Sequence, residues 1–566
     1  MPLPSHHRII SRREIIHLIS HGSKLFILDG YVIQANAWLP FHPGGEKSIL
    51  HMVGRDATDE IYALHSGEAR ERMRKYVMGR IEGRWENFLP PIQGVMCRAA
   101  PSQDVVDETL DGEASRSSGN FTAALSGFET AERGKEGCGR GTGVEMQISR
   151  AASVSEMGMG MGMEKAHCVS AEALTAHAIS IDLSRYPSLD RKTQEEIVLK
   201  YRQLDETLRR AGLYECPYGS YGIDTIRYGV LFALFWSCLQ CAHYALSGLF
   251  LGLFWHQLVF TAHDAGHMGI THGFHTDSCI GIFVADFLGG LSLGWWKRNH
   301  NVHHIVTNSP EHDPDIAHMP FFAISHRFFA SLYSTYYDRE LKFDAAARFF
   351  IKHQNYLYYP ILLLGRFNLY ILAWSYLLSP NQAPRKGPAW WHRHLELAGQ
   401  LFFWYWFGYQ TLYLSIPRWS SRLTFLLLSH MVTAPLHVQL TLSHFAMSTA
   451  DLGVRESFAM KMLRTTMDVE CPPWMDFLHG GLQFQVVHHL FPRLPRHNLR
   501  RAQRYVRSFC EDVGIPYVRV GFVRGNREVI GRLGEVAAQL RVWEECRKVA
   551  ARELVERRGD VTLRMR

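Results

Sequence analysis

The chain of 566 residues is long enough for two or three domains, and its net charge of +7 is too modest for a nucleic-acid surface but suits loops that face anionic lipid. Hydrophobic residues make up 47% of it, an ordinary value for a soluble protein, yet they are gathered into a few long blocks between polar ends, which excludes a uniformly soluble chain. Ten cysteines without a regular spacing argue against a zinc ribbon or a disulfide framework and fit a reducing compartment.

The N-terminus, MPLPSHHRIISRREII, lacks an apolar core of signal-peptide length, so membrane entry is expected from internal segments. Ser11, followed by an acid at Glu14, predicts a capped helix start. The run KLFILDGYVIQANAWL predicts short strands about a turn at Asp29-Gly30. Phe41-His42-Pro43-Gly44-Gly45 follows; the proline fixes the backbone and the glycines let it pass close to a flat cofactor. A second histidine, His65, stands between Leu64 and Ser66, 23 residues after His42. Over roughly residues 5–85 this pattern resembles the cytochrome b5 haem domain. The resemblance implies a small α+β domain in which His42 and His65 clamp haem b from both faces. With both axial positions filled, such a haem carries electrons and does not bind oxygen.

Composition changes at Leu89-Pro90-Pro91, and roughly residues 88–180 read as a disordered linker rich in Ser, Gly, Glu and Arg, with alternating Met and Gly from Met157 to Met163. Such a tether lets the haem domain reach the next domain at high effective concentration. His167 and Cys168 within it are not expected to bind metal.

A membrane domain is expected over roughly 181–500. It opens with a charged, helical stretch ending in LRRAGLYE. Tyr228–Phe260 is then dominated by apolar residues over about 33 positions, against about 20 for one span, so two spans in a hairpin are expected, turning near His243, Ser247 and Gly248. Ser278–Trp296 is broken by Asp286, Gly289 and Gly290 and reads as an interfacial helix, with Trp295, Trp296, Lys297 and Arg298 at headgroup level. Of three later apolar segments, 355–379 contains Pro360, Gly365, Arg366 and Asn368 and is expected to be interfacial; 398–416 and 421–446 are expected to cross, joined at Pro417-Arg418-Trp419. The expected total is about four transmembrane helices with both termini cytosolic.

Three clusters are left on one side: His263-Asp264-Ala265-Gly266-His267, His300-Asn301-Val302-His303-His304 and Gln485-Val486-Val487-His488-His489. Histidines three or four apart on a helix share a face, so seven imidazoles and a glutamine amide can meet at one point. Imidazole suits iron, zinc, copper and nickel; seven are too many for one tetrahedral ion, so a two-metal site at the membrane surface is expected.

Over about residues 226–500 the three boxes resemble the membrane fatty acid desaturase superfamily. Gln485 at the head of the third box resembles the front-end branch fused to cytochrome b5, and NSPEHDPDI together with CPPWMDFLHGGLQFQVVHHLFPRLPRHNLR resembles, more narrowly, fungal delta-8 sphingolipid desaturases. The resemblance implies a di-iron centre held by His263, His267, His300, His303, His304, His488 and His489, with Gln485 as ligand or orienting group. His444 in the last span is a candidate further ligand and His437 a weaker one; Asp264, Asp313 and Asp315 are candidates to fix imidazole tautomers. The acid common in that family between Gln485 and His488 is absent here, where Val486 and Val487 stand.

The implied enzyme is a multidomain, O2-dependent oxidoreductase of the endoplasmic reticulum membrane with a cytosolic active site. It would desaturate the sphingoid base of a ceramide, drawing electrons from NADH-cytochrome b5 reductase through its haem, and would bind no nucleic acid. A front-end acyl-lipid desaturase of delta-5 or delta-6 type and a lipid hydroxylase share these motifs; a haem-bearing membrane scaffold is the non-catalytic alternative. Residues 501–566, Arg-rich and in part amphipathic, are expected to form a cytosolic tail.

Overall fold

The computed structural model describes residues 8–94, 170–380 and 382–564. Most of the expected linker, including Met157–Met163, His167 and Cys168, lies outside them. The N-terminal domain is the expected small α+β unit. Strands β1 (Ile9–Ile10), β2 (Leu25–Leu28), β3 (Tyr31–Gln34) and β4 (Val77–Ile81) form one sheet in the order β1-β4-β3-β2. Ser11 caps α1 (Arg12–Ser20) by accepting the Glu14 backbone N–H at 3.2 Å, a bond worth about 1 kcal/mol. The β2–β3 hairpin turns on Asp29 and Gly30, both at positive φ. Helices α2 (Glu46–Leu50), α3 (Thr58–Leu64) and α4 (Gly67–Arg74) complete the domain. Residues 88–94, expected in the linker, belong to it: Phe88 packs against Gly54, and the Gln93 amide reaches His51 Nδ1 at 2.9 Å.

The linker expectation also fails at its other end, where α5 (Ala171–Arg185) begins. This helix has little apolar periodicity. It is held by an ion pair between Asp182 and the fully buried Arg464 at 2.9 Å, a bond that composition does not reveal. The next helix, α6 (Arg191–Arg210), is capped by Asp190 and buries Ile197, Tyr201, Leu204 and Leu208 at helical spacing.

Helices α7 (Tyr218–Gln240) and α8 (Tyr244–Gly266) form the first membrane hairpin. It turns at Cys241–His243, and Ser247 and Gly248, read as turn signals, lie inside α8. There Gly248 and Gly252 serve packing: a Cβ at either would come within 2.8 Å of backbone carbonyls of the later span. After α9 (Phe274–Ile282), which continues helically to Leu288, α10 (Leu293–Val306) turns away at 117°. The hairpin β5 (Leu332–Ser334)–β6 (Arg339–Leu341) and α11 (Ala345–Lys352) follow. The 355–379 segment breaks into α12 (Gln354–Leu362) and α13 (Gly365–Leu378), bent by 68°. Its Arg366, read as an interfacial marker, is buried, donating to the Gly289 carbonyl at 2.5 Å above the Trp255 ring.

Helix α14 (His392–Phe403) runs on to Leu414, and α15 (Trp419–Met431) with α16 (Ala434–Phe445) makes one 27-residue span. Among the described residues three helices are long and apolar enough to cross a membrane, and up to five if each bent pair is one span. The expected crossing at 398–416 is not among the three. It lies in the same bundle nonetheless, with Phe403 6.0 Å from Trp255 and Phe407 6.4 Å from Phe425.

Helix α17 (Phe458–Thr465), β7 (Asp468–Glu470), α18 (Asp476–His479), α19 (Gln485–Leu490) and α20 (Leu499–Val513) lead to β8 (Arg519–Gly521) and α21 (Phe522–Arg564). The expected tail is therefore part of the domain. β8 pairs in parallel with β7, and α21 buries Val529, Leu533, Val536 and Leu540, a stripe at helical spacing, over α11, α12 and α16.

The haem domain and membrane domain share a core. Val302, Ile305 and Val306 on α10 pack in one cluster with Phe26, Ile33, Ile49 and Met52. Arg202–Asp59 at 2.7 Å and Lys47–Asp338 at 2.5 Å flank it.

Candidate metal centre and haem site

The three boxes sit at helix positions that aim them inward. His263 and His267 close α8, His300, His303 and His304 lie along α10, and His488 and His489 end α19. Two groups result. The ligand atoms of His263, His267, His300 and His488 lie within 4.8 Å of one another, and so do those of His303, His444 and His489. His444, the candidate from the last span, thus joins the second group, and His437 joins neither. His304 lies between the groups, with its Nε2 3.1 Å from His300 Nε2 and its ring stacked on His489 at 4.3 Å. Gln485 is buried one turn before His488 on the same helix.

Nitrogens of His267, His304, His444, His488 and His489 are buried without a hydrogen-bond partner. Each costs about 1–3 kcal/mol in a metal-free fold, a cost that a bound cation removes. Burial, then the neighbouring imidazoles, holds His488 and His489 well below the usual histidine range, so both are neutral donors. The residues present fit two metal ions.

Partners fix the rings. His303 Nδ1 lies 2.9 Å from Asp313, which also accepts the backbone N–H groups of Asn308 at 2.7 Å and Asp315 at 2.8 Å; one carboxylate serves as both turn and tautomer lock. Asp315 is 3.4 Å from His300 Nδ1. Asp264 behaves otherwise: it accepts from Arg496 and Tyr221, each at 2.6 Å, and its nearer approach to His263 Nδ1 is only 3.6 Å. Val486 and Val487, where the family acid is missing, are both fully buried in the core, so the acid's place is taken by packing.

Several functional neighbours were not foreseen. Trp296, expected at headgroup level, stacks on His300 at 4.5 Å, and Lys297 beside it is buried. Buried Asp468 accepts the N–H of Val486 at 2.9 Å and the Gln503 amide at 2.7 Å, anchoring the start of α19. Arg496 joins Asp264 to Asp224, and its only sequence signal was its place in the quoted LPRHNLR run.

In the N-terminal domain the His42 and His65 rings face each other with centroids 5.9 Å apart. A metal with a bond of about 2 Å to each ring fits that gap. His42 Nδ1 is held by the Gly45 carbonyl at 2.8 Å, leaving Nε2 for the gap, and His65 Nδ1 is buried without a partner. Burial lowers the pKa of both, that of His65 to about 3 with help from His42 and Arg493. Both are neutral, as axial ligands must be. Arg493, four residues beyond His489, donates to the His65 carbonyl at 3.1 Å.

Residues 239–521 match the fatty acid desaturase family and residues 11–82 the cytochrome b5-like heme/steroid binding domain. The Delta 8-(E)-sphingolipid desaturase of Emericella nidulans is 57% identical, over 96% of this chain and 97% of its own length. The protein of that name from Kluyveromyces lactis is 46% identical over 97% and 96%, and the Delta(8)-fatty-acid desaturase of Helianthus annuus 39% over 61% and 75%. The chain belongs to the fatty acid desaturase family, in the form that carries a cytochrome b5-like haem domain at its N-terminal end.

Proposed function

We propose that the chain is a sphingolipid delta-8 desaturase, which introduces a double bond into the long-chain base of a ceramide. The observation that carries the substrate class is the likeness over 96% of the chain to a relative of that name, where the plant relative matches over 61%. Each turnover removes two hydrogens from the lipid and consumes O2, two electrons and two protons, with water as the other product. Two irons held by the imidazole groups supply the O2 activation that no side chain performs on an unactivated methylene. His263, His267, His300 and His488 hold one ion; His303, His444 and His489 hold the other, with His304 between them. Gln485 is a ligand or an orienting group. Asp313 occupies Nδ1 of His303, which leaves Nε2 of that ring as the atom that would hold a metal.

His42 and His65 hold the haem, and α10 lies between that domain and the metal groups, a short path for electrons. In this reading an NADH-cytochrome b5 reductase supplies electrons to the haem, and the protein resides in the endoplasmic reticulum membrane with both termini and the active site cytosolic. The test is expression in a host lacking the product, followed by mass spectrometry of sphingoid bases and acyl chains. An 8,9 double bond in the base is expected, and it disappears with His303→Ala or His488→Ala. New double bonds only in acyl chains would instead establish the front-end acyl-lipid reading.

A further inference from the structure

A second set of buried imidazoles lies on the membrane side of the metal groups. His256 precedes His263 on α8 by seven residues, and His437 precedes His444 on α16 by the same interval. Seven residues are close to two full turns, so each sits on the same face as the metal-site histidine, about 10 Å below it. A third, His479, ends α18. Phe260 gathers them. Its ring meets His256 edge-on at 5.1 Å, Gly480 next to His479 lies against it, and Leu436 next to His437 packs in its cluster. All three histidines are at least nine-tenths buried, and the Nε2 atom of each has no hydrogen-bond partner. The metal-site nitrogens carry that same mark. These three, however, do not bring their ligand atoms together as the metal groups do.

The proton on His256 can be placed. Arg227 donates to Gln257 Oε1 at 3.2 Å, which fixes the amide orientation, and Gln257 Nε2 donates to the Phe477 carbonyl at 2.9 Å and to His256 Nδ1 at 3.3 Å. His256 Nδ1 is therefore an acceptor, and its proton is on Nε2. The orphan atom is a donor that awaits an oxygen. Gly365 lies close against the His437 ring, where an added Cβ would stand only 3.3 Å away and crowd it.

We infer that His256, His437 and His479 form a metal-free polar site for the hydroxyl and amide groups at the head of the lipid substrate. The inference rests on the sphingolipid reading above. An extended alkyl chain advances about 1.25 Å per bond, so about eight bonds cover the 10 Å between the two tiers. The C1 oxygen of a sphingoid base is separated from C8 by that count. The site thus acts as a ruler: it holds the polar head one fixed length from the metal groups, so that the reacting carbons reach them.

The test uses iron-loaded full-length enzyme with a dihydroceramide and its 1-deoxy counterpart, recording KM, kcat and bound iron. The wild type is expected to favour the dihydroceramide about tenfold in KM. His256→Phe should raise KM for the dihydroceramide about tenfold, leave KM for the 1-deoxy lipid and the iron content unchanged, and so abolish the preference; His256→Gln, which keeps a donor, should restore it. A preference that persists in His256→Phe, or iron lost from that variant and from His256→Gln alike, overturns the site while leaving the proposed function standing. A wild type that forms no 8,9 double bond in either lipid overturns both.

Discussion

Asp313 is the carboxylate whose loss reaches furthest among the side chains around the metal groups. It takes two backbone N–H groups and the Nδ1 side of His303, and it is fully buried. Asp313→Asn keeps the shape but weakens the lock on that ring, so iron affinity or activity should fall about 10–100-fold, while the haem spectrum stays that of the wild type. His65→Ala should do the reverse: it removes the six-coordinate haem signature and the activity that depends on it, and leaves the catalytic iron in place. Metal analysis beside a visible spectrum separates the two cases. The histidines themselves were legible, because three- and four-residue spacing on a helix is a short-range signal. Arg496 and Asp468 were not, because their partners Asp264 and Val486 stand 232 and 18 residues away, and only tertiary packing brings them together.

Among the elements α10 has two occupied faces. One carries His300, His303 and His304; the other contributes Val302, Ile305 and Val306 to the core shared with the haem domain. The helix is about 10 Å across, so its position decides whether the haem and metal groups are near neighbours or strangers. Val302 is fully buried, and Val302→Asp places a carboxylate in that apolar seam. The expected outcome is a protein that retains haem and iron but transfers electrons from prereduced haem at least tenfold more slowly in stopped-flow absorbance. An unchanged rate would show that the seam is not the route. The apolar pattern of α10 did not announce this second face, since Trp295 to Arg298 reads as a membrane-surface sequence until its neighbours are known. In α21 the opposite held: the stripe was written in the sequence, but only the folded domain shows what it covers.

For the molecule as a whole, connectivity constrains orientation. Helix α7 starts and α8 ends on the side that bears the boxes, and the haem domain is packed against α10 on that same side. The α7–α8 turn, with exposed Cys241, must then face the opposite compartment. If the haem is reduced from the cytosol, Cys241 is lumenal. In sealed microsomes, on a background with the other accessible cysteines removed, a membrane-impermeant maleimide should label Cys241 only after the vesicles are opened. A cysteine in place of exposed Glu68 on α4 should be labelled in sealed vesicles. Labelling of both from outside would mean that the α7–α8 hairpin does not cross; labelling of Cys241 alone would place the haem domain in the lumen, out of reach of a cytosolic donor. The α15–α16 span must likewise end on the side that bears the boxes, since a span that ended on the far side could not bring His444 into the group with His303 and His489.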